Sequence, residues 1–148
     1  MKLEEIKQQK FRNEYHKLAV NVIYTYGWLM NSQSKLFTKY QITSNQYNIL
    51  RILRGQYPNS ATINLLKERM LDKMSDASRL VERLRVKGLV KRDLSSHDRR
   101  CVDVIITDKG LKLLSEMDKL NEKHDSIFEN LSSTESKKLN ELLDKLRG

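Results

Sequence analysis

From Leu89 to Thr107 the spacing of apolar residues changes. Elsewhere they recur every three or four positions, but here Val102, Val104 and Ile106 alternate with Cys101, Asp103 and Ile105, and the run LVKRDL stands just before them. A period of two is that of a strand with one face turned inward. Two such runs around the polar tip SSHDRR read as a β-hairpin. The rest of the chain reads as helix. Any fold for this sequence must therefore accommodate one hairpin among helices.

Upstream, Phe11, Tyr15, Leu18, Ala19, Val22, Tyr26, Leu29 and Met30 form the stripe of one long amphipathic helix, expected from about Glu5 to Thr38. Thr43 and Gln46 have capping-box spacing ahead of Ile49, Leu50, Ile52 and Leu53, which places a second helix ending near Gly55. A third is read in TINLLKERML. The fourth is read in DKMSDASRLVERLRVKG, with Ala77, Leu80, Val81 and Leu84 on one side and Gly88 as its stop. Beyond the hairpin, Leu114, Met117, Leu120, His124, Ile127 and Leu131 share one stripe from Thr107 onward. Ser132 and Glu135 then open a last helix carrying Leu139, Leu142, Leu143 and Leu146. No linker separates these parts, and 148 residues match one domain of mainly α (α+β) class.

Charge narrows the partners. The net charge is +9, and the basic excess avoids the last third: residues 1–60 carry 9 basic and 3 acidic side chains, residues 61–100 carry 11 and 6, and residues 101–148 carry 8 and 10. A basic field of this kind attracts polyanions. No apolar run approaches the ~20 residues of a membrane span, and MKLEEIKQQK lacks the apolar core of an export signal. Cys101 is the only cysteine and cannot bridge within the chain. A cytoplasmic protein without a membrane partner is expected.

Two short helices joined by a turn, the second polar on its outer side and followed at once by a hairpin, make a winged helix-turn-helix. Such a unit sets its second helix in the major groove of double-stranded DNA, where base edges can be told apart. Lys73, Ser75, Asp76, Ser78, Arg79 and Arg83 are the candidates on the fourth helix and the turn before it. Asp98, Arg99 and Arg100 stand at the wing tip, where arginine suits the negative potential of a narrow minor groove. Each feature has a plainer reading alone, since charged helix faces and surface ion pairs are common. Their order along the chain is what favours DNA.

These residues also carry a resemblance. The run Leu66–Thr107 followed by DKG resembles the MarR family of bacterial transcription regulators. Leu66 and Met70 match its Leu-x-x-x-Leu helix, SDASRL its recognition run, LRVKGLV the step into the hairpin, and Asp98 with Arg100 the Asp-x-Arg wing motif. Thr107 and Gly110 match the Thr-x-x-Gly after the wing, and ITSNQYNIL looks like the second helix. Asp76 departs from the family, which has a neutral residue there. The resemblance implies a homodimer whose subunits intertwine residues 1–40 and 111–148, with a winged lobe at 41–110. It also implies a repressor on a pseudo-palindromic operator and a pocket for small aromatic ligands, for which His16, Tyr24 and Trp28 are candidates. No cofactor is implied.

Other constellations are weaker. His97 and Cys101, with Asp98 or Asp103, have spacing for metal ligands, yet structural zinc takes four ligands, usually Cys and His. Neighbouring arginines could activate Cys101, but no second cysteine is present to resolve an oxidised form. The chain has no Gly-rich phosphate loop, nucleophile elbow or paired acid and base, so an enzyme is not expected. The alternative is a helical adaptor module with a degenerate winged fold.

Overall fold

The computed structural model describes residues 10–95, 98 and 100–148, and the chain divides into two compact units, one running to Ser44 and one from Asn45 to Gly148. The first unit is dominated by helix α1, Glu14–Lys39. Asn13 sets its start, because the Asn13 side chain accepts a hydrogen bond from the His16 backbone N–H at 2.9 Å. The helix thus opens later than the expected Glu5. Phe11 precedes it, and residues 5–9 lie outside the described range. Within α1 only Phe37 is buried, while Tyr15, Leu18, Val22 and Tyr26 of the apolar stripe are exposed.

The second unit holds α2 (Ser44–Gln56), β1 (Ala61–Thr62), α3 (Ile63–Arg69), α4 (Ala77–Val86), β2 (Val90–Leu94), β3 (Val102–Ile106), α5 (Asp108–Asp118), α6 (Asn121–Asp125), a 3-10 turn (Ser126–Phe128) and α7 (Ser133–Arg147). Its core is apolar: Ile49, Leu50 and Leu53 of α2, Leu66 of α3, Val81 and Leu84 of α4, Val90, Val104 and Ile106 of the sheet, and Leu114 and Met117 of α5 are all buried. The alternation read in the sequence holds, since Val104 and Ile106 point inward while Asp103 and Ile105 are half-buried on the opposite side.

Three expectations change. The hairpin is part of a three-stranded antiparallel sheet in the order β1-β3-β2, with Ala61 opposite Val104 and Thr62 opposite Asp103. Thr62 is at once a strand residue and the N-cap of α3, its hydroxyl accepting from the Leu65 N–H at 3.2 Å. Helix α4 starts at Ala77 and not at Asp72, because Asp72 spends its side chain on the local backbone and fixes a turn instead. The stripe from Leu114 to Leu131 is not one helix. It breaks at Lys119 and Leu120: Lys119 keeps right-handed helical angles, but Leu120, at φ −102° and ψ 6°, leaves them.

Two glycines carry the junctions of the wing. Gly88 takes φ +73° just past α4, where the Leu89 N–H donates to the Leu84 carbonyl at 3.0 Å, and a left-handed residue at this place suits glycine. Gly110 packs against the chain between α4 and β2: a Cβ there would fall 2.4 Å from the Leu89 carbonyl oxygen and 2.7 Å from Ile106 Cγ1. Thr107 completes this joint. Its hydroxyl donates to the Gly88 carbonyl at 2.7 Å and accepts from the Gly110 N–H at 3.2 Å, and its own N–H donates to the Leu89 carbonyl at 3.1 Å. At the far end Ser132 and Glu135 form the expected capping box of α7.

Candidate nucleic-acid interface

The turn before α4 is built by polar side chains. Asn45 of α2 donates to Asp72 Oδ2 at 3.0 Å and to Ser75 Oγ at 2.7 Å, Ser75 Oγ donates to Asp72 Oδ2 at 2.7 Å, and the Met74 N–H donates to Asp72 Oδ1 at 3.0 Å. The Ser75 hydroxyl, then the Asn45 amide and the Met74 N–H, hold the Asp72 carboxyl below its ordinary range. Asn48 adds a bond from the Leu71 N–H at 2.9 Å. The α2 helix therefore fixes how α3 hands over to α4. Lys73 turns back, its ammonium donating to the carbonyls of Glu68 and Lys67 at the end of α3.

The expected site residues on this segment consequently divide. Ser75 is half-buried and engaged in the turn, and Asp76 is the N-cap of α4, accepting from the Arg79 N–H at 3.1 Å. Ser78, Arg79 and Arg83 are exposed on α4, opposite the buried Ala77, Val81 and Leu84. Among the described residues no hydrogen bond engages these three side chains. Two basic groups and a hydroxyl on one helix face, free to meet an external acceptor, are what groove recognition requires.

Glu82 lies between them and does other work. It accepts from Arg85 at 2.8 and 3.0 Å along its own helix, and from Arg92 of β2 at 3.2 Å. Arg85 chiefly, and Arg92 beside it, keep the Glu82 carboxyl below its usual range. This pair connects α4 to the wing. The sequence offered no sign of it, because ten residues separate Glu82 from Arg92 and only the sheet brings them together.

At the tip, Asp98 folds the chain back on itself. Its carboxylate accepts from the Arg100 backbone N–H at 2.9 Å and from the Arg100 guanidinium at 3.2 Å. The backbone bond first, and the guanidinium second, hold the Asp98 carboxyl low. The Arg100 side chain stays 92% exposed, so it is oriented at its base and open at its end. Arg99 and His97 lie outside the described residues. Among the described residues no group of three or more His, Cys, Asp and Glu side chains is placed to hold a metal ion.

No family model matches the sequence. A regulator from Staphylococcus aureus, the HTH-type transcriptional regulator MgrA, is 34% identical over 113 residues, 76% of this chain and 75% of that one. The chain belongs to the MarR family of transcription regulators. A single-site variant of E. coli MarR complexed with operator DNA superposes with a TM-score of 0.80 at 24% identity, covering 93% of this chain and 99% of that one. The organohalide-sensing RdhR regulator in its 2,4-dichlorophenol-bound form reaches 0.83 at 16% identity, with 96% and 86% covered. This MarR-family chain is thus a DNA-binding transcription regulator and not an enzyme. Among its described residues no helix is long and apolar enough to cross a membrane.

The candidates on α1 of this MarR-family chain are only partly brought together. Tyr24 and Trp28 line an open hollow with Gly27, Asn31, Ser32 and Lys35. His16 is two turns further back and is engaged elsewhere, with its ring edge-on to Phe11 at 5.6 Å and Nδ1 accepting from the Arg12 N–H at 3.2 Å. Lys35, Asn31 and Ser32 were not singled out from the sequence. Their polar type at helical spacing is ordinary for a solvated face.

Proposed function

We propose that the protein is a homodimeric, sequence-specific repressor that sets α4 of each subunit in the major groove of a pseudo-palindromic operator. The observation that carries this reading is the unengaged Ser78, Arg79 and Arg83 face on a helix whose start and turn are held by other side chains. Arg79 reads a base edge, Arg83 neutralises a phosphate, and Arg100, held at its base by Asp98, enters a neighbouring minor groove. Asp76 and Ser75 act through the shape of the turn. Two copies are favoured by the exposed Tyr15, Leu18, Val22, Ile23 and Tyr26 of α1 and, separately, by Leu139, Leu142 and Leu146 of α7, two apolar surfaces that association would cover. Two-fold symmetry then asks for half-sites ~10 to 10.5 base pairs apart, one turn of the duplex.

Binding to duplexes recovered from a random pool tests the reading. Arg79→Ala should relax discrimination at a defined base pair, by about 1 to 3 kcal/mol if the contact is bidentate to guanine. Arg83→Ala should weaken binding to every duplex and reduce the salt slope by about 0.9. Arg100→Ala should cost most where the flanks are A·T-rich. A protein that sediments as a monomer at micromolar concentration, or that binds scrambled and palindromic duplexes equally, is not this regulator.

The hollow at Tyr24 and Trp28 supports relief of DNA binding by a small aromatic anion, with Lys35 supplying the cation; the dichlorophenol-bound RdhR structure points the same way. An effector acts only by binding one state of the dimer better than another. Trp28 is the only tryptophan, so its fluorescence reports occupancy directly. Phenolic acids that change neither that signal nor DNA affinity would remove this part of the reading.

A further inference from the structure

The turn between α3 and α4 exposes two large apolar side chains that stability does not explain. Leu71 is 86% and Met74 94% accessible, the latter more than any other large apolar side chain among the described residues. An exposed methionine on a floppy loop would be unremarkable. This turn is tied down: the Leu71 N–H is held by Asn48, and the Met74 N–H by Asp72, whose carboxylate is itself gripped by Asn45 and Ser75. Polar groups thus fill the inner side of the turn and present Leu71 and Met74 outward, on either side of Lys73.

Their place matters more than their exposure. Met74 stands three residues before the first residue of α4, at the end of the helix that enters first when such a unit docks, and N-terminal residues of a recognition helix meet the base edges. In the major groove the one apolar feature of the bases is the C5-methyl of thymine. Phosphates offer no apolar surface, and the C–H groups of the sugars are the same in every nucleotide and carry no sequence.

We propose that Met74, with Leu71 beside it, is a specificity-determining contact to thymine methyl groups. The proposal rests on α4 lying in the major groove. It adds a second kind of readout there, in which arginine and serine recognise donors and acceptors while the turn recognises methyls. Asp72 is then a positioning residue, acting through the path of the backbone at Met74.

The test uses the full-length protein and duplexes that wild type recovers from a random pool. Each thymine in a half-site is replaced in turn by deoxyuridine, which removes the methyl and leaves base pairing intact. Wild type should lose about fourfold in affinity at one or two positions, the value of burying one methyl-sized group. Met74→Ala should bind thymine and uracil duplexes equally at such a position, and Leu71→Ala should show the same loss of preference at it or at its neighbour. Arg79→Ala should bind less well yet keep the thymine preference. Both apolar positions are exposed, so the variants should melt as wild type does. Uniform wild-type affinity for all uracil duplexes, or an unchanged preference in Met74→Ala and Leu71→Ala, overturns the proposal and leaves groove binding intact. Failure of wild type to select any duplex overturns both.

Discussion

Replacing Gly110 by alanine sets two known effects against each other. Gly110 lies in the first turn of α5, and alanine there would gain about 1 kcal/mol of helix propensity. The added Cβ would meet the Leu89 carbonyl oxygen at 2.4 Å and Ile106 Cγ1 at 2.7 Å. Neither neighbour can step aside cheaply. The Leu89 carbonyl accepts the Thr107 N–H, and Ile106 is buried in the core of the sheet. Helix α5 must retreat by roughly 1 Å to restore ordinary contact in a close-packed interior. Such overpacking costs about 1 to 3 kcal/mol, and losing the Thr107–Leu89 bond adds about 1 kcal/mol. The steric loss exceeds the propensity gain. A net destabilisation of about 2 kcal/mol is expected, which lowers the melting temperature by about 4 to 8 °C for a chain of this size. Thermal unfolding followed by far-ultraviolet circular dichroism, at one fixed protein concentration for all variants, gives the answer. Gly55, also helical and with nothing within 4 Å of its built Cβ, is the control, and Gly55→Ala should melt at or above wild type. If Gly110→Ala also melts at or above wild type, the close approach of α5 to the wing junction is not as described.

Three further outcomes follow from the site. Asp76→Ala removes the cap of α4 and should cost about 1 kcal/mol of stability in urea unfolding; unaltered stability would contradict the cap. Glu82→Ala removes the acceptor shared by Arg85 and Arg92, so the salt slope of DNA binding, read by fluorescence anisotropy, should steepen by about 0.9 for each cation that finds a phosphate. An unchanged slope would mean that these arginines stay away from the backbone. Asp72 and Asp98 have carboxyls held below the ordinary aspartate value of 3.8, so each stabilises the fold above that value and loses its contribution as pH falls through the lower folded one. The stability gap between wild type and Asp72→Asn should accordingly be widest near neutrality and close below the usual aspartate range; a gap that widens toward acid would reverse the assignment.

Much of this was legible because burial leaves a period in the sequence. Ala77, Val81 and Leu84 face inward as their spacing required, Val104 and Ile106 do so at the strand period, and Ser132 with Glu135 caps α7. Asp98 and Arg100 do pair at the tip, as the plainer reading of surface ion pairs already allowed. What the sequence hid are contacts with no period. A strand of two residues, Ala61 and Thr62, is too short to alternate. Asp72 reads as an ordinary early helix residue until Asn45 and Ser75 are seen around it. The break at Lys119 and Leu120 has neither glycine nor proline to announce it. Glu82 looks like one more charge on a solvated face, and its role exists only because β2 returns Arg92 to its side.

The pairing of β1 with β3 also bears on how the chain acquires its structure. The helices close locally and can form as soon as their own residues are present, but Ala61 meets Val104 only after about forty intervening residues have been brought into a loop, a closure that must be made before its contacts repay it. Because Thr62 both pairs with Asp103 and caps α3, the start of that helix is completed by residues synthesised long after it. A nascent chain that stops short of Val102 therefore has α3 and α4 without a finished sheet beneath them, and the pairing of β1 with β3, not the local β2–β3 hairpin, should be the slow step of refolding.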